Sequence, residues 1–320
     1  MSAPPSLRRS LPLTGKIAAA SAVLLALGSL VACSSGPDTG AAAEVPGSSA
    51  ETTESPFDLT SANPDDSVRI DPVPEAVALL EESGFKPIQD GKYTVAVSAY
   101  EPPLGFLAED DNQTLLGVEP DIAQLVADGL GLELATENVA WADWPLGVES
   151  GKYDSVISNV TVTEERKDLF DFAIHRNDVL AFSVAADSDI TSITKAADVA
   201  GLKVVVGSGT NQEKILLDWF EENEKAGLEP GEPIYFDDQA AANLALASGR
   251  VDVNFGPNPT AAFRAAVSGE SKVVGTLNGG FPANAQIGVT TAKDNGLIEA
   301  VSVVLNHAIE SGDYGEVLER

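Results

Sequence analysis

From Lys92 onward, short apolar runs rich in β-branched residues alternate with stretches that carry apolar side chains every third or fourth position. Side chains repeat every two residues along a strand and about every 3.6 along a helix, so this alternation predicts an α/β fold with mainly parallel strands. It comes in two sets. The first holds a strand over 92–99 and a helix from Pro120 that puts Ile122, Leu125, Val126 and Leu130 on one face and stops at Gly131. A helix between Asp143 and Gly151 and a buried strand over 155–162 complete it, and a short helix over 74–83 precedes it. The second set holds a strand over 203–206, a helix through Trp219, a helix over 239–248, a strand over 251–255, a helix near Pro259 and a strand over 273–276. A last strand over 285–289 leads into a helix over 295–311. Extended segments at 179–184 and 283–289 join the sets, and two connections between two lobes predict a hinge beside a ligand cleft.

At 320 residues the chain is long enough for two lobes with separate cores. Its start reads differently. Arg8, Arg9 and Lys16 precede an apolar stretch over 17–31 that is short for a membrane span, the pattern of an export signal. The stretch ends in Leu30-Val31-Ala32-Cys33, which resembles the lipobox of bacterial lipoproteins. By that resemblance residues 1–32 are a lipoprotein signal peptide and Cys33 carries the lipid. Cys33 is the only cysteine, so the fold has no intramolecular disulfide and depends on its core. No later apolar run approaches the roughly 18 residues of a spanning helix, which leaves the lipid as the expected anchor. Residues 33–67 are mostly Ser, Gly, Ala, Pro, Thr and acid, too poor in apolar surface to offset the entropy of ordering, and are expected to form a disordered tether.

The chain has 49 acidic and 19 basic residues; three of the basic ones lie in 1–32, so the remainder keeps 16 and a formal charge near −33. A surface of that sign repels nucleic acid and anionic membranes and argues against both as partners. The two histidines, His175 and His307, lie in no metal-ligand or nucleophile–base pattern, and no cofactor is expected.

One stretch stands out chemically. In TVTEERKDLFDF, residues 161–172, a β-branched run gives way to a capping threonine, two acids and an arginine. Thr163 is placed to cap a short helix, with Glu164 and Glu165 near its positive end. Arg166 has two readings: an ion pair with Glu164 or Glu165 at a solvated helix end, or a planar fork held over a site for an anion. In the second set, Gly207-Ser208-Gly209-Thr210 forms a strand-to-helix turn that can offer backbone N–H groups to an anion. It is no nucleotide loop: Gln212 stands where a dinucleotide fingerprint needs glycine, and a Gly-Lys pair is absent.

The runs LLGVEPDIAQLVADGLGLEL, WADWPLGVESGKYDSVISNVTVTEER and DLFDF, followed by GSGTNQE and ALASGRVDV, resemble in order and spacing the family 3 bacterial solute-binding proteins, the polar amino-acid receptors of ABC importers. The resemblance covers about residues 68–320. It implies the two-lobed, type II periplasmic-binding-protein fold, with lobe 1 over 68–183 plus 287–320, lobe 2 over 184–286, and a ligand cleft between them. It implies a monomer that binds a small carboxylate-bearing solute and docks, closed, on an ABC transporter permease outside the cytoplasm. Carried over residue by residue, it assigns the carboxylate grip to Arg166, a hydroxyl and an amide to Thr161 beside Asn159, and the closing turn to Thr210 and Asn211.

The pattern departs from the family in two places. After Gly249-Arg250-Val251-Asp252 the aspartate that would bind a ligand ammonium is replaced by Pro257, leaving Asn258 as a neutral acceptor or a turn residue. Ahead of Pro102-Pro103 the stacking aromatic is replaced by Glu101, unless a one-residue shift restores Tyr100. Glu101 then either faces the cleft, where it can bind a cation, or lies on a surface loop. Trp141 is the other candidate for stacking, against a plain packing role. Arg176 either adds positive charge to the cleft or, the expected outcome, is solvated, and Asp121 and Asp252 are expected to be structural. Rival functions are a ligand sensor for a separate membrane partner and a dehydratase on the same fold; the missing hydroxyl–His–acid order and metal cluster weigh against the enzyme.

Overall fold

A computed structural model describes residues 57–320. The expected signal peptide, Cys33 and most of the expected tether lie outside the described residues. Among those described, no helix is long and apolar enough to cross a membrane.

Along the chain come α1 (Pro74–Ser83), β1 (Lys92–Val97), β2 (Phe106–Leu107), β3 (Leu115–Leu116), α2 (Val118–Gly129), β4 (Glu133–Asn138), α3 (Trp144–Glu149), β5 (Ser155–Val156), α4 (Glu164–Lys167) and β6 (Phe170–Asn177). Next are β7 (Val179–Ala185), β8 (Lys203–Val205), α5 (Asn211–Lys225), β9 (Glu232–Ile234), α6 (Gln239–Ala247), β10 (Val253–Pro257), α7 (Asn258–Val267) and β11 (Ser271–Asn278). The chain ends with β12 (Gln286–Ala292), α8 (Ile298–Ser311) and α9 (Asp313–Glu319). Two five-stranded sheets result, ordered β4-β1-β5-β12-β6 and β11-β7-β10-β8-β9.

Each sheet is mixed, which corrects the expectation of mainly parallel strands. β4, β1 and β5 run parallel, as do β10, β8 and β9, but β12 and β6 pair antiparallel in the first sheet and β7 and β11 antiparallel in the second. The antiparallel members are the strands that enter or leave a lobe, because a chain coming across from the neighbouring sheet arrives from the opposite end. The first crossing also lies earlier than expected. β7 belongs to the second sheet from its first residue, so the chain passes over at Asp178 rather than within 179–184. It returns through 279–285. The two crossings are tied together: the Asp178 N–H donates to the Ala285 carbonyl at 3.0 Å, and the Gly279 N–H donates to the Asp178 carbonyl at 3.0 Å.

Each lobe has its own core. In the first, Ile122, Leu125 and Val126 of α2 meet Val301, Val304 and Leu305 of α8 over the sheet; full burial of one such side chain contributes about 1.5–3 kcal/mol. α2 begins two residues ahead of Pro120 because Gly117, at φ 106°, is pressed against the Leu104 carbonyl, where any Cβ would collide. In the second lobe the rings of Phe182 and Phe255 stack at 4.0 Å, with Trp219 against Phe182. The expected strand over 155–162 keeps ladder pairing only at Ser155–Val156. Asn159, at φ 50°, turns the chain away, and Thr161 rejoins the sheet as a single bridge to Ile287.

The end of the expected tether is ordered. Leu59 packs beside Phe106, Ala108 and Leu116. Ser61 bonds the Asp110 carboxylate through both its N–H and its hydroxyl at 2.8 Å, and Arg320 donates to the Asn63 carbonyl at 2.7 Å. Phe57 reaches further, its ring 5.4 Å from that of Phe263 on α7. The segment's average composition hides these two apolar residues, which dock where the loop after β1 leaves a groove.

Candidate functional site

Thr163 opens α4 with extended backbone, and its hydroxyl accepts from the Arg166 N–H at 3.3 Å. This cap turns the Arg166 side chain back along the strand end, where Nη1 donates to the Thr161 carbonyl at 2.9 Å. The guanidinium lies 5.7 Å from the Trp141 ring and 5.6 Å from the buried Trp144 ring. It makes no ion pair among the described residues. Glu164 pairs with Lys167 instead, at 2.7 Å, which corrects the helix-end ion-pair reading of Arg166. Burial works against the Arg166 charge, offset in part by Asp178 and then Glu165. A half-buried cation without an acid partner is a group whose binding capacity is still open.

Behind it lies a polar knot at the first crossing. The Thr161 hydroxyl donates to the Asp178 carboxylate at 2.7 Å. Asp178 is 3% exposed; burial raises its carboxyl above the ordinary range, countered by Thr161 and by the charges of Arg176 and Arg166. Arg176 is not solvated as expected. Its Nη2 donates to Glu119 at 2.5 Å and to the Asn159 side-chain oxygen at 2.7 Å, within the first lobe. So Asn159 and Thr161 spend their side chains on Arg176 and Asp178, and hold the chain that carries Arg166.

The second lobe approaches the same place. Thr210 caps α5, accepting from the Glu213 N–H at 3.2 Å, while its hydroxyl donates to the Gly207 carbonyl at 2.6 Å. The Glu213 carboxylate reaches back to the Gly209 N–H at 2.7 Å, and the Asn211 amide bonds the Gly279 carbonyl at the return crossing. Across the cleft, Trp141 Nε1 lies 3.4 Å from the Gly209 carbonyl. The tryptophan that covers Arg166 therefore also meets the Gly-rich turn, bringing together Arg166, Trp141 and the Thr210 turn. Asn258 stands half-buried at the first position of α7, just after Pro257.

Tyr100 and Glu101 both face the second lobe. The Tyr100 hydroxyl sits 3.5 Å from where a Cβ on Gly256 would be. Glu101 is held at both oxygens: Oε2 by Arg264 Nη2 of α7 and Oε1 by Asn243 Nδ2 of α6, each at 2.6 Å, with the two charged side chains 12% and 13% exposed. Glu101 is thus not solvated on its loop.

Asp178, Glu119, Asn243 and Arg264 were not found by sequence reasoning. Of these, only Asp178 left a signal, an acid set between two apolar strands. Among the described residues no group of His, Cys, Asp and Glu is arranged to hold a metal. His175 is buried with Nδ1 2.9 Å from the Tyr314 hydroxyl, away from Arg166 in role and partners.

A family model described as bacterial extracellular solute-binding proteins, family 3, matches residues 93–320. The arginine-binding protein ArgT of Corynebacterium glutamicum is 29% identical over 262 residues, covering 80% of this chain and 82% of that protein. The L-cystine-binding protein TcyJ of Escherichia coli is 29% identical over 187 residues, covering 55% of this chain and 66% of that one. Among solved structures, an ancestral arginine-binding protein bound to arginine matches with a TM-score of 0.63 and 29% identity, over 72% of this chain and 97% of that one. Holo ArgBP from T. maritima matches with a TM-score of 0.58 and 27% identity, over 68% and 91%. The fold is that of the type II periplasmic binding proteins, two α/β lobes with a cleft between.

Proposed function

Because the chain belongs to the bacterial extracellular solute-binding proteins, family 3, we propose that it captures a small carboxylate-bearing solute, an amino acid or a derivative of one, between its lobes and delivers it to the permease of an ABC importer. The observation that carries this reading is Arg166: a half-buried guanidinium at the lobe boundary, flanked by Trp141 and Trp144, with no acid paired to it. A carboxylate placed there receives two parallel charge-assisted bonds. The Thr210 turn of the second lobe closes over it, and Trp141 supplies an apolar wall. Thr161 and Asn159 act as positioning residues. Asn258 and Tyr100 line the far side, near Pro257.

Relatives named for binding arginine and cystine support an amino acid as the solute class. The reading includes an extracytoplasmic monomer, tethered by lipid on Cys33 after loss of residues 1–32, which keeps the receptor near its transporter. Lobe 1 then comprises the chain up to the Asp178 crossing together with β12, α8 and α9, and lobe 2 the part between.

The test is thermal unfolding of the full chain, refolded to strip bound solute, against amino acids, betaines, opine-like compounds and simple carboxylates. A ligand at about a hundred times its Kd stabilises by roughly 2.7 kcal/mol. A shift seen in the wild type and lost in Arg166→Ala supports the reading; a full shift kept in the variant overturns it.

A further inference from the structure

The one charged pair that joins the two lobes through side chains is Glu101 with Arg264, reinforced by Asn243, among the described residues. Glu101 follows Tyr100 on the loop after β1, and the Tyr100 hydroxyl lies 3.5 Å from where a Cβ on Gly256 would be, next to the Pro257 that stands in place of an acid. The pair therefore lies between the lobes, joining the loop after β1 to α6 and α7. Both Glu101 oxygens accept from the second lobe, one from a guanidinium and one from a side-chain amide, so a ligand's cation meets a carboxylate that is already paired. Arg264 in turn has Nε and Nη1 buried without a partner, and the amide nitrogen of Asn254 on the neighbouring strand is likewise buried and unpartnered. The environment is short of acceptors and rich in donors.

We propose that Arg264 and Asn243 occupy, from within the chain, the position a cationic side chain of the solute would take on Glu101, so that the cleft binds amino acids with neutral or anionic side chains and rejects arginine and lysine. This rests on the reading of the cleft as an amino-acid site and narrows it. A guanidinium arriving on a solute has to displace Arg264 from Glu101. That move strands a buried arginine whose other two nitrogens already lack acceptors, the costly way to break a buried pair. A side chain ending in a carbonyl or carboxylate meets donors instead. Relatives named for binding arginine share the fold, and a glutamate here invites the same assignment; the internal guanidinium argues against it.

Calorimetric titration of the full chain with L-arginine, L-lysine, L-glutamine, L-glutamate and L-leucine decides the matter, run on wild type, Arg264→Met, Asn243→Ala and Arg166→Ala. Wild type is expected to bind a neutral or acidic amino acid at least a hundredfold more tightly than arginine. Arg264→Met, with Glu101 released, should gain at least tenfold for arginine. Asn243→Ala frees only Oε1, should gain several-fold, and serves if the first variant fails to fold. Arginine or lysine bound by wild type as tightly as any other amino acid overturns the proposal, as does a folded pair of variants with no gain for arginine. If wild type binds none of the five, the amino-acid reading of the cleft fails separately. Arginine bound by the released variants alone then still supports the present proposal, and arginine bound by none overturns it.

Discussion

The hydroxyl of Thr161 donates to the carboxylate of Asp178 at 2.7 Å, linking the strand end that carries the candidate site to the residue where the chain first changes lobes. Asp178 also bonds the return crossing through its own N–H and carbonyl, so one residue ties both connections and the site. Thr161→Val, nearly the same volume, removes the only side-chain donor to that carboxylate among the described residues. Leaving a buried acceptor unsatisfied costs about 1–3 kcal/mol, and each kcal/mol moves the unfolding midpoint by about 2–4 °C for lobes of this size. Calorimetric melts of the two proteins read this directly; an unchanged midpoint would show the knot to be dispensable.

Arg166→Ala should separate binding from stability. Among the described residues the guanidinium has no acid partner to strand, and its one bond goes to a carbonyl of its own loop. Unfolding should therefore shift by less than about 1 kcal/mol, while solute affinity falls about a hundredfold or more, since one charge-assisted bond is worth about 1.5–3 kcal/mol and tenfold in Kd is about 1.4. Denaturant titration and calorimetry give the two quantities independently.

His175 sets a pH dependence. Burial, and then the charge of Arg176, hold its imidazole well below the ordinary value of 6.5. With the folded pKa depressed, the unfolded chain binds the extra proton, so this contribution is complete above pH 6.5 and is lost as pH falls from there. The high acidic charge of the chain pushes the other way, because acidification relieves self-repulsion. The comparison is therefore with His175→Gln: between pH 7.5 and 5.5 the wild type should lose stability relative to the variant. Parallel profiles would remove His175 from the account.

The docked N-terminal segment gives a further expectation. Phe57 contacts Phe263 on α7, while Leu59 and Ser61 hold the first lobe. An aromatic pair contributes about 0.5–1.5 kcal/mol beyond its buried area. Phe57→Ala should cost about that much and loosen the lobes together, seen as a larger radius of gyration in solution scattering. Scattering identical to wild type would confine Phe57 to local packing.

What the sequence made legible was local. Periodicity located the helices that cover both sheets, and Thr163 announced its cap within three residues of the group it bonds. Arg166 was singled out by the family resemblance, while Trp144, one of the two rings against its guanidinium, lies 22 positions away and gave no local signal. The Glu101–Arg264 pair had no such signal: its members are 163 residues apart and meet only when the lobes do. Arg176 likewise read as solvated because its acid, Glu119, sits 57 positions away on α2. The strand directions escaped notice since the apolar pattern of a buried strand is the same whichever way it runs.

The return of β12 and α8 to the first sheet also bears on how the molecule comes into being. Everything from β7 to β11 is a continuous insertion whose sheet is complete once Asn278 has emerged. The first sheet is not: its central β5 waits for β12, and α2 waits for α8, the last long helix synthesised. During vectorial synthesis or export, the second lobe can settle while the first still exposes Ile122, Leu125 and Val126. Arg166 and its loop belong to the lobe that finishes late, so the candidate site is assembled at the end of the chain's emergence, after the jaw opposite it is already in place.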